Sequence, residues 1–153
     1  MNDLATPPDA ALQDTRLVLI SESYQRLTGK LLFEAFDPQA MWNAPRAIVA
    51  HGTEADPVFF YANELALRLF EMNFAEFSRL PSRLSAEPEG LAARVVLMEK
   101  VTRQGFIDGY SGMRIASSGK RFMITDATVW NLVDEAGVYH GQAATFTAQK
   151  FSL

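Results

Sequence analysis

Asp126, Thr128, Ser111 and Thr145 are the residues whose types and spacing could do chemistry together. They fall in three strand-like segments, Phe106 to Ala116, Arg121 to Val133 and Val138 to Ala148. Ser117-Ser118-Gly119-Lys120 and Asp134-Glu135-Ala136-Gly137 separate these segments, and both read as hairpin turns. If the turns close simple hairpins, Trp130 stands opposite Ile107 on one side and Gly141 on the other. Residues two apart on a strand share a face. One face then holds Ile107, Ser111, Met113, Ile115, Phe122, Ile124, Asp126, Thr128, Trp130, Leu132, Ala143 and Thr145. The opposite face holds Asp108, Tyr110, Arg114, Arg121, Asn131, His140 and Gln142. The first face is the more apolar and is assigned to the core. A one-residue slip on any strand inverts the set for that strand.

This assignment puts a carboxylate and three hydroxyls inside an aromatic sheet face. A buried carboxylate without partners is costly, so either the hydroxyls satisfy Asp126 or a ligand does. An apolar pocket with a few convergent polar groups is the usual form of a small-molecule site. Phe70, Phe74, Phe77 and Met98 could close it from helices. The expected ligand site is therefore Asp126, Thr128, Trp130, Ser111, Phe122, Met113, Thr145, Met98 and Phe70. The alternative is plain core packing with Asp126 near the rim. A further alternative is a small α+β enzyme that uses Asp126 as a base of raised pKa.

Other chemistry is poorly provided for. The 153 residues contain no cysteine, which excludes disulfides, thiolate metal sites, thiol switching and a cysteinyl–flavin adduct. The two histidines, His51 and His140, have no ligand spacing, so no metal site is expected. Thr28-Gly29-Lys30 lacks the upstream glycine of a phosphate-binding loop. No Ser/His/Asp order or carboxylate pair supports catalysis, and the chain is read as not an enzyme. The net charge of -4 argues against nucleic acid as a partner. No export signal or membrane-length apolar run is visible, so a cytoplasmic protein without membrane contact is expected.

The elements that must position these residues follow from pattern. Residues 1–8 read as a flexible lead-in. A helix is expected over 9–36, capped by Asp9, with Ile20, Tyr24, Leu27 and Leu31 on one stripe. Asp37 to Pro45 is a break. Arg46 to His51 and Pro57 to Ala62 read as strands, and Asn63 as the N-cap of a helix carrying Leu65, Leu69 and Met72. Ser82 to Glu87 is a loop. Glu89 to Gln104 reads as a helix with Leu91, Val95, Met98 and Thr102 on one face, ended by Gly105. The class is α+β with an antiparallel sheet.

That order resembles the PAS fold, a five-stranded antiparallel sheet with helices inserted after strand two. Phe60-Tyr61-Ala62-Asn63 with Ala66 and Leu69-Phe70 resembles its passage from strand two to helix. Gly119 resembles its hairpin glycine, and Val133-Asp134 with Gly137 and Gly141 resembles its closing motif. The chain is more closely similar to the PAS-related MEKHLA domain, in its free-standing bacterial type. The residues are Leu97-Met98-Glu99-Lys100, Gln104-Gly105-Phe106, Ser117-Ser118-Gly119, Ala127, Val129 and Trp130. They span Arg16 to Phe146, although Val101-Thr102-Arg103 replaces the His-Leu-Ala of the family name. The PAS-like domain is placed at 45–148, behind the N-terminal helix.

The resemblance implies a ligand-sensing or signalling domain that acts through a homodimer or a separate signalling partner. The alternative is an interaction module without ligand. Flavin-binding relatives carry an asparagine-cysteine motif where this chain has Ser78 to Leu84, and a glutamine where it has Ala143. Any cofactor is therefore left unknown. With no length assigned to an output domain, the signal is expected to pass to another chain.

Overall fold

Asn63 holds the first half of the fold together. Its side chain is fully buried and has all its hydrogen-bonding capacity in use. Oδ1 accepts from the backbone of Ala66 and of Ile48, and Nδ2 donates to the carbonyls of Met41 and Arg46. It thereby caps helix α4 (Glu64–Phe70), fixes strand β1 (Ala47–His51) and anchors the end of α3 (Pro38–Trp42). The structure, a computed structural model, describes residues 6–85 and 91–150.

The remaining elements are α1 (Asp9–Gln13), α2 (Leu17–Thr28), β2 (Phe59–Ala62), α5 (Phe74–Phe77), α6 (Leu91–Gln104), β3 (Phe106–Ile115), β4 (Arg121–Val133) and β5 (Tyr139–Lys150). The five strands form one antiparallel sheet in the order β2-β1-β5-β4-β3. The two hairpin turns read from sequence make β3, β4 and β5 a meander, and β1 pairs with β5 across the sheet. That last pairing is close. At Gly141, with φ of 130°, a Cβ would lie 2.0 Å from the His51 carbonyl oxygen, so only glycine allows β5 to approach β1 there.

One sheet face is covered by α4, α5 and α6, and the other by α2. Leu97 and Val101 of α6 pack on Val129 and Ile107, while Phe70 of α4 meets Phe122 with ring centres 5.0 Å apart. On the far face Tyr24 of α2 meets Trp130 edge-on at 4.9 Å.

Several expectations need correction. The helix over 9–36 is two helices, broken where Asp14 turns back to bind Arg16, and Pro8 rather than Asp9 is the cap. Gly29 adopts φ of 76° and ends α2, leaving Leu31 outside any helix and 58% exposed. Asp37 caps the unexpected α3, with Pro38 at its first position. The buried stripe of α6 is Leu97 and Val101; Val95, assigned to it, is 57% exposed. Part of the Ser82 to Glu87 loop is a 3-10 turn over Ser82–Ser85, and its remainder, like Glu89, lies outside the described residues.

Candidate functional site

β4 changes face at Asp126. A bulge lies between Thr125 and Thr128, and Asp126 adopts a left-handed φ of 50°. Before the bulge Phe122 and Ile124 face α4–α6. After it, the odd-numbered Ala127, Val129 and Asn131 take that side, and Thr128, Trp130 and Leu132 turn towards α2. The bulge is held from a distance. Arg46 Nη2 donates to the Asp126 carbonyl at 2.8 Å and to the Thr145 carbonyl at 3.2 Å, and Nε reaches Thr145 Oγ1 at 3.4 Å.

The face assignment made for the end of the sheet is therefore inverted. Trp130 pairs with Phe106 and Ala143, not with Ile107 and Gly141. Tyr110, Arg114, Asn131 and Gln142, all assigned to the opposite face, turn inward instead: Asn131 and Gln142 because of the bulge, Tyr110 and Arg114 because the β3–β4 hairpin sets Arg114 opposite Phe122.

Where the expected site residues lie follows directly. Phe70 and Met98 line a small cavity on the inner face, with Phe122 packed against Phe70. Trp130 is buried under α2 and donates Nε1–H to the Ile20 carbonyl at 3.2 Å. Ser111 and Met113 lie on the other side of β3, Met113 paired with Met123. Thr128 pairs with Thr145. Asp126 and Thr145 do meet, but around Arg46, and the Asp126 side chain is 78% exposed. Asp126 therefore lies at the sheet surface and does not line the cavity.

The inner cavity has a volume of about 50 Å³. Apolar side chains, among them Phe59, Phe70, Leu97, Ile124 and Phe146, form most of its wall. Its polar groups are His51, Ser85, Tyr110, Arg114 and Gln142. Gln142 Nε2 donates to Asn131 Oδ1 at 3.0 Å, and Asn131 Nδ2 donates to the Val101 carbonyl at 3.0 Å. This chain of amides ties the cavity wall to α6. His51, Met98 and Gln142 also line an open groove of about 530 Å³ beside α6, which runs past Arg83 and Tyr139. Burial raises the Tyr139 hydroxyl above its ordinary pKa.

The sequence reading missed Arg114, Tyr110 and Gln142 as cavity residues. The available signal was their polarity on β-strands bounded by apolar neighbours. The bulge at Asp126 hid Gln142, whereas Tyr110 and Arg114 were hidden by the β3–β4 turn, which closes between Ala116 and Lys120 and sets Arg114, not Ile115, opposite Phe122. Among the described residues no His, Asp and Glu cluster could hold a metal, and no helix is long and apolar enough to cross a membrane.

A family model for the MEKHLA domain matches residues 14–151. The chain belongs to the MEKHLA domain family. Among curated relatives, the homeobox-leucine zipper proteins ATHB-9 and ATHB-14 of Arabidopsis thaliana are each 28% identical to this MEKHLA chain, over 97% and 95% of its length. HOX32 of Oryza sativa subsp. indica is 24% identical over 95%. The chain spans 18% of the length of each of these relatives. The fold is PAS-like. A PAS domain from Colwellia psychrerythraea superposes with a TM-score of 0.62 at 14% identity, covering 74% of this chain and 92% of that one. A variant of Vivid gives 0.62 at 16%, covering 85% and 93%. A light-oxygen-voltage domain studied with a flavin analogue gives 0.59 at 19%, covering 75% and 84%.

A flavin does not fit the residues of this MEKHLA chain. The cavity of about 50 Å³ is far below the roughly 300 Å³ at which drug-sized pockets begin. The chain has no cysteine for an adduct. The residue at the expected glutamine position, Ala143, shares the face of Trp130, and Gln142 is the one that reaches the cavity.

Proposed function

We propose that this MEKHLA chain is a sensing or signalling domain in which occupancy of the inner cavity is passed through β4 to α2, and from α2 to a second copy or a separate partner chain. One observation carries the reading. Consecutive residues of β4 serve opposite sides: Asn131 bonds the cavity residue Gln142, while Trp130 holds the α2 carbonyl of Ile20. Ser23 of α2 adds two bonds of 2.9 Å to the backbone of Val133. A ligand that binds one position of β4 better than another shifts α2 by that difference in affinity. Membership of a PAS-related family supports the same reading.

The test is native mass spectrometry of the purified full chain, paired with hydrogen exchange over Leu17 to Thr28. A retained small molecule whose removal raises exchange in α2 is the expected result. A chain that retains nothing, with exchange in α2 unmoved by any added compound, overturns the sensing reading.

The small cavity volume favours one second reading, an interaction module without ligand. Self-association belongs to both readings, and ligand retention separates them. Light scattering on Val18→Asp and Leu31→Asp, whose parent side chains are 40% and 58% exposed, tests the shared interface. Loss of self-association in a folded variant of a chain that retains no small molecule supports the interaction module; a retained molecule whose removal moves exchange in α2 counts against it. Tyr24 is unsuitable for this purpose because it packs on Trp130.

A further inference from the structure

Arg114 is 9% exposed and lines the inner cavity. Its guanidinium carries five N–H donors and a charge it does not release. Nη1 donates to the Met113 carbonyl at 2.9 Å, and Nη2 reaches the Tyr110 hydroxyl at 3.4 Å. The guanidinium carbon stands 5.7 Å from the centre of the Tyr110 ring. Both partners are neutral. Among the described residues no carboxylate pairs with Arg114, whereas Arg16, Arg46, Arg68 and Arg83 each have one. A cation buried without a counter-charge is costly.

A second observation concerns the strand beneath it. Gly112 lies between Tyr110 and Arg114 on β3. A Cβ there would stand 2.3 Å from the Tyr110 hydroxyl and 3.0 Å from Arg114 Nη1. Its φ is ordinary, so the glycine serves space rather than a turn. The bare backbone is what lets the phenol and the guanidinium occupy the same wall of the cavity.

We propose that Arg114, with Tyr110 beside it, is an anion-binding site for a small monocarboxylate whose apolar body lies along the cavity wall of Phe70, Ile124 and Phe146. This rests on the sensing reading and names its ligand class. The guanidinium fork matches a carboxylate in two parallel hydrogen bonds. A single negative charge balances the single cation, because among the described residues no lysine or second arginine lines the cavity. A phosphate dianion would keep a buried surplus charge. A body longer than the cavity passes between His51, Met98 and Gln142 into the neighbouring groove.

The experiment uses the full chain in thermal melts and calorimetry with acetate, propionate and benzoate, against acetamide, benzamide and inorganic phosphate. At least one carboxylate is expected to raise the melting temperature with concentration. Its affinity should fall about 10-fold or more in Arg114→Gln, with Arg114→Lys between the two. The amides and phosphate should have no effect. Without added acid, Arg114→Met should melt no lower than the parent chain, because it removes an unpaired buried charge. The assignment is overturned if no carboxylate binds, if phosphate or an amide binds as well, if Arg114→Gln retains affinity, or if Arg114→Met unfolds the ligand-free chain. A neutral molecule retained in native mass spectrometry would overturn this ligand class and leave the sensing reading standing. An empty chain whose α2 responds to nothing overturns both.

Discussion

The indole Nε1 of Trp130 donates to the Ile20 carbonyl across 3.2 Å, and this bond is buried. It joins α2 to the sheet at a residue whose chain neighbour, Asn131, faces the cavity side. Trp130→Phe keeps an aromatic ring there but removes the one side-chain donor that ties this helical carbonyl to the sheet, and leaves a small void. The expected cost is about 2 kcal/mol, read from urea unfolding. Hydrogen exchange in α2 should rise more than exchange in β1, which the bond does not touch.

Asp126 reports on the bulge rather than on chemistry. At φ of 50° a glycine is comfortable and a β-branched residue is strained. Asp126→Gly should therefore be close to neutral, while Asp126→Val should cost about 1–2 kcal/mol by thermal unfolding. The exposed contact of its carboxylate with Arg46 at 3.5 Å adds little to either outcome. A large loss from the glycine variant would contradict this assignment.

Tyr61 is 1% exposed, and its hydroxyl has no hydrogen-bond partner among the described residues. Burial pushes its pKa up. A buried hydroxyl without a partner opposes folding. Tyr61→Phe is expected to raise stability by up to about 1 kcal/mol in denaturant melts, where most core substitutions lower it.

Acid should weaken the β4–β5 turn. The hydrogen bond from His140, with those from the Val138 and Ala136 amides, holds the Asp134 carboxyl below its ordinary value of 3.8. Burial pushes Asp14 up, but the side-chain and backbone hydrogen bonds from Arg16 outweigh it, so Asp14 is also lowered. For both groups the folded pKa lies below the unfolded one. Their contribution is complete above 3.8 and is lost as pH falls through the lowered values. Melting temperature followed downwards from pH 5 should fall less steeply in Asp134→Asn than in the parent chain.

Much of the architecture follows from local signals. The turns at 117–120 and 134–137 place β3, β4 and β5 side by side, because each hairpin is closed by residues adjacent in the chain. Asn63 as a cap and Gly105 as a stop are legible for the same reason: each acts within a few residues of itself. The family resemblance, too, rests on short runs such as Leu97 to Lys100.

Which residues line the cavity was decided by contacts between distant parts of the chain. The left-handed turn at Asp126 depends on Arg46, 80 residues away, and adds one residue to β4. Strand side chains alternate with a period of two, so that residue exchanged the cavity and helix faces for everything after it. Trp130 went to α2, and Asn131 took the cavity side. Sequence alone established the strands, the turns and the polar residues they carry. Only the tertiary structure set Arg114 against an apolar wall with no counter-charge among the described residues, because burial and pairing belong to the packed chain.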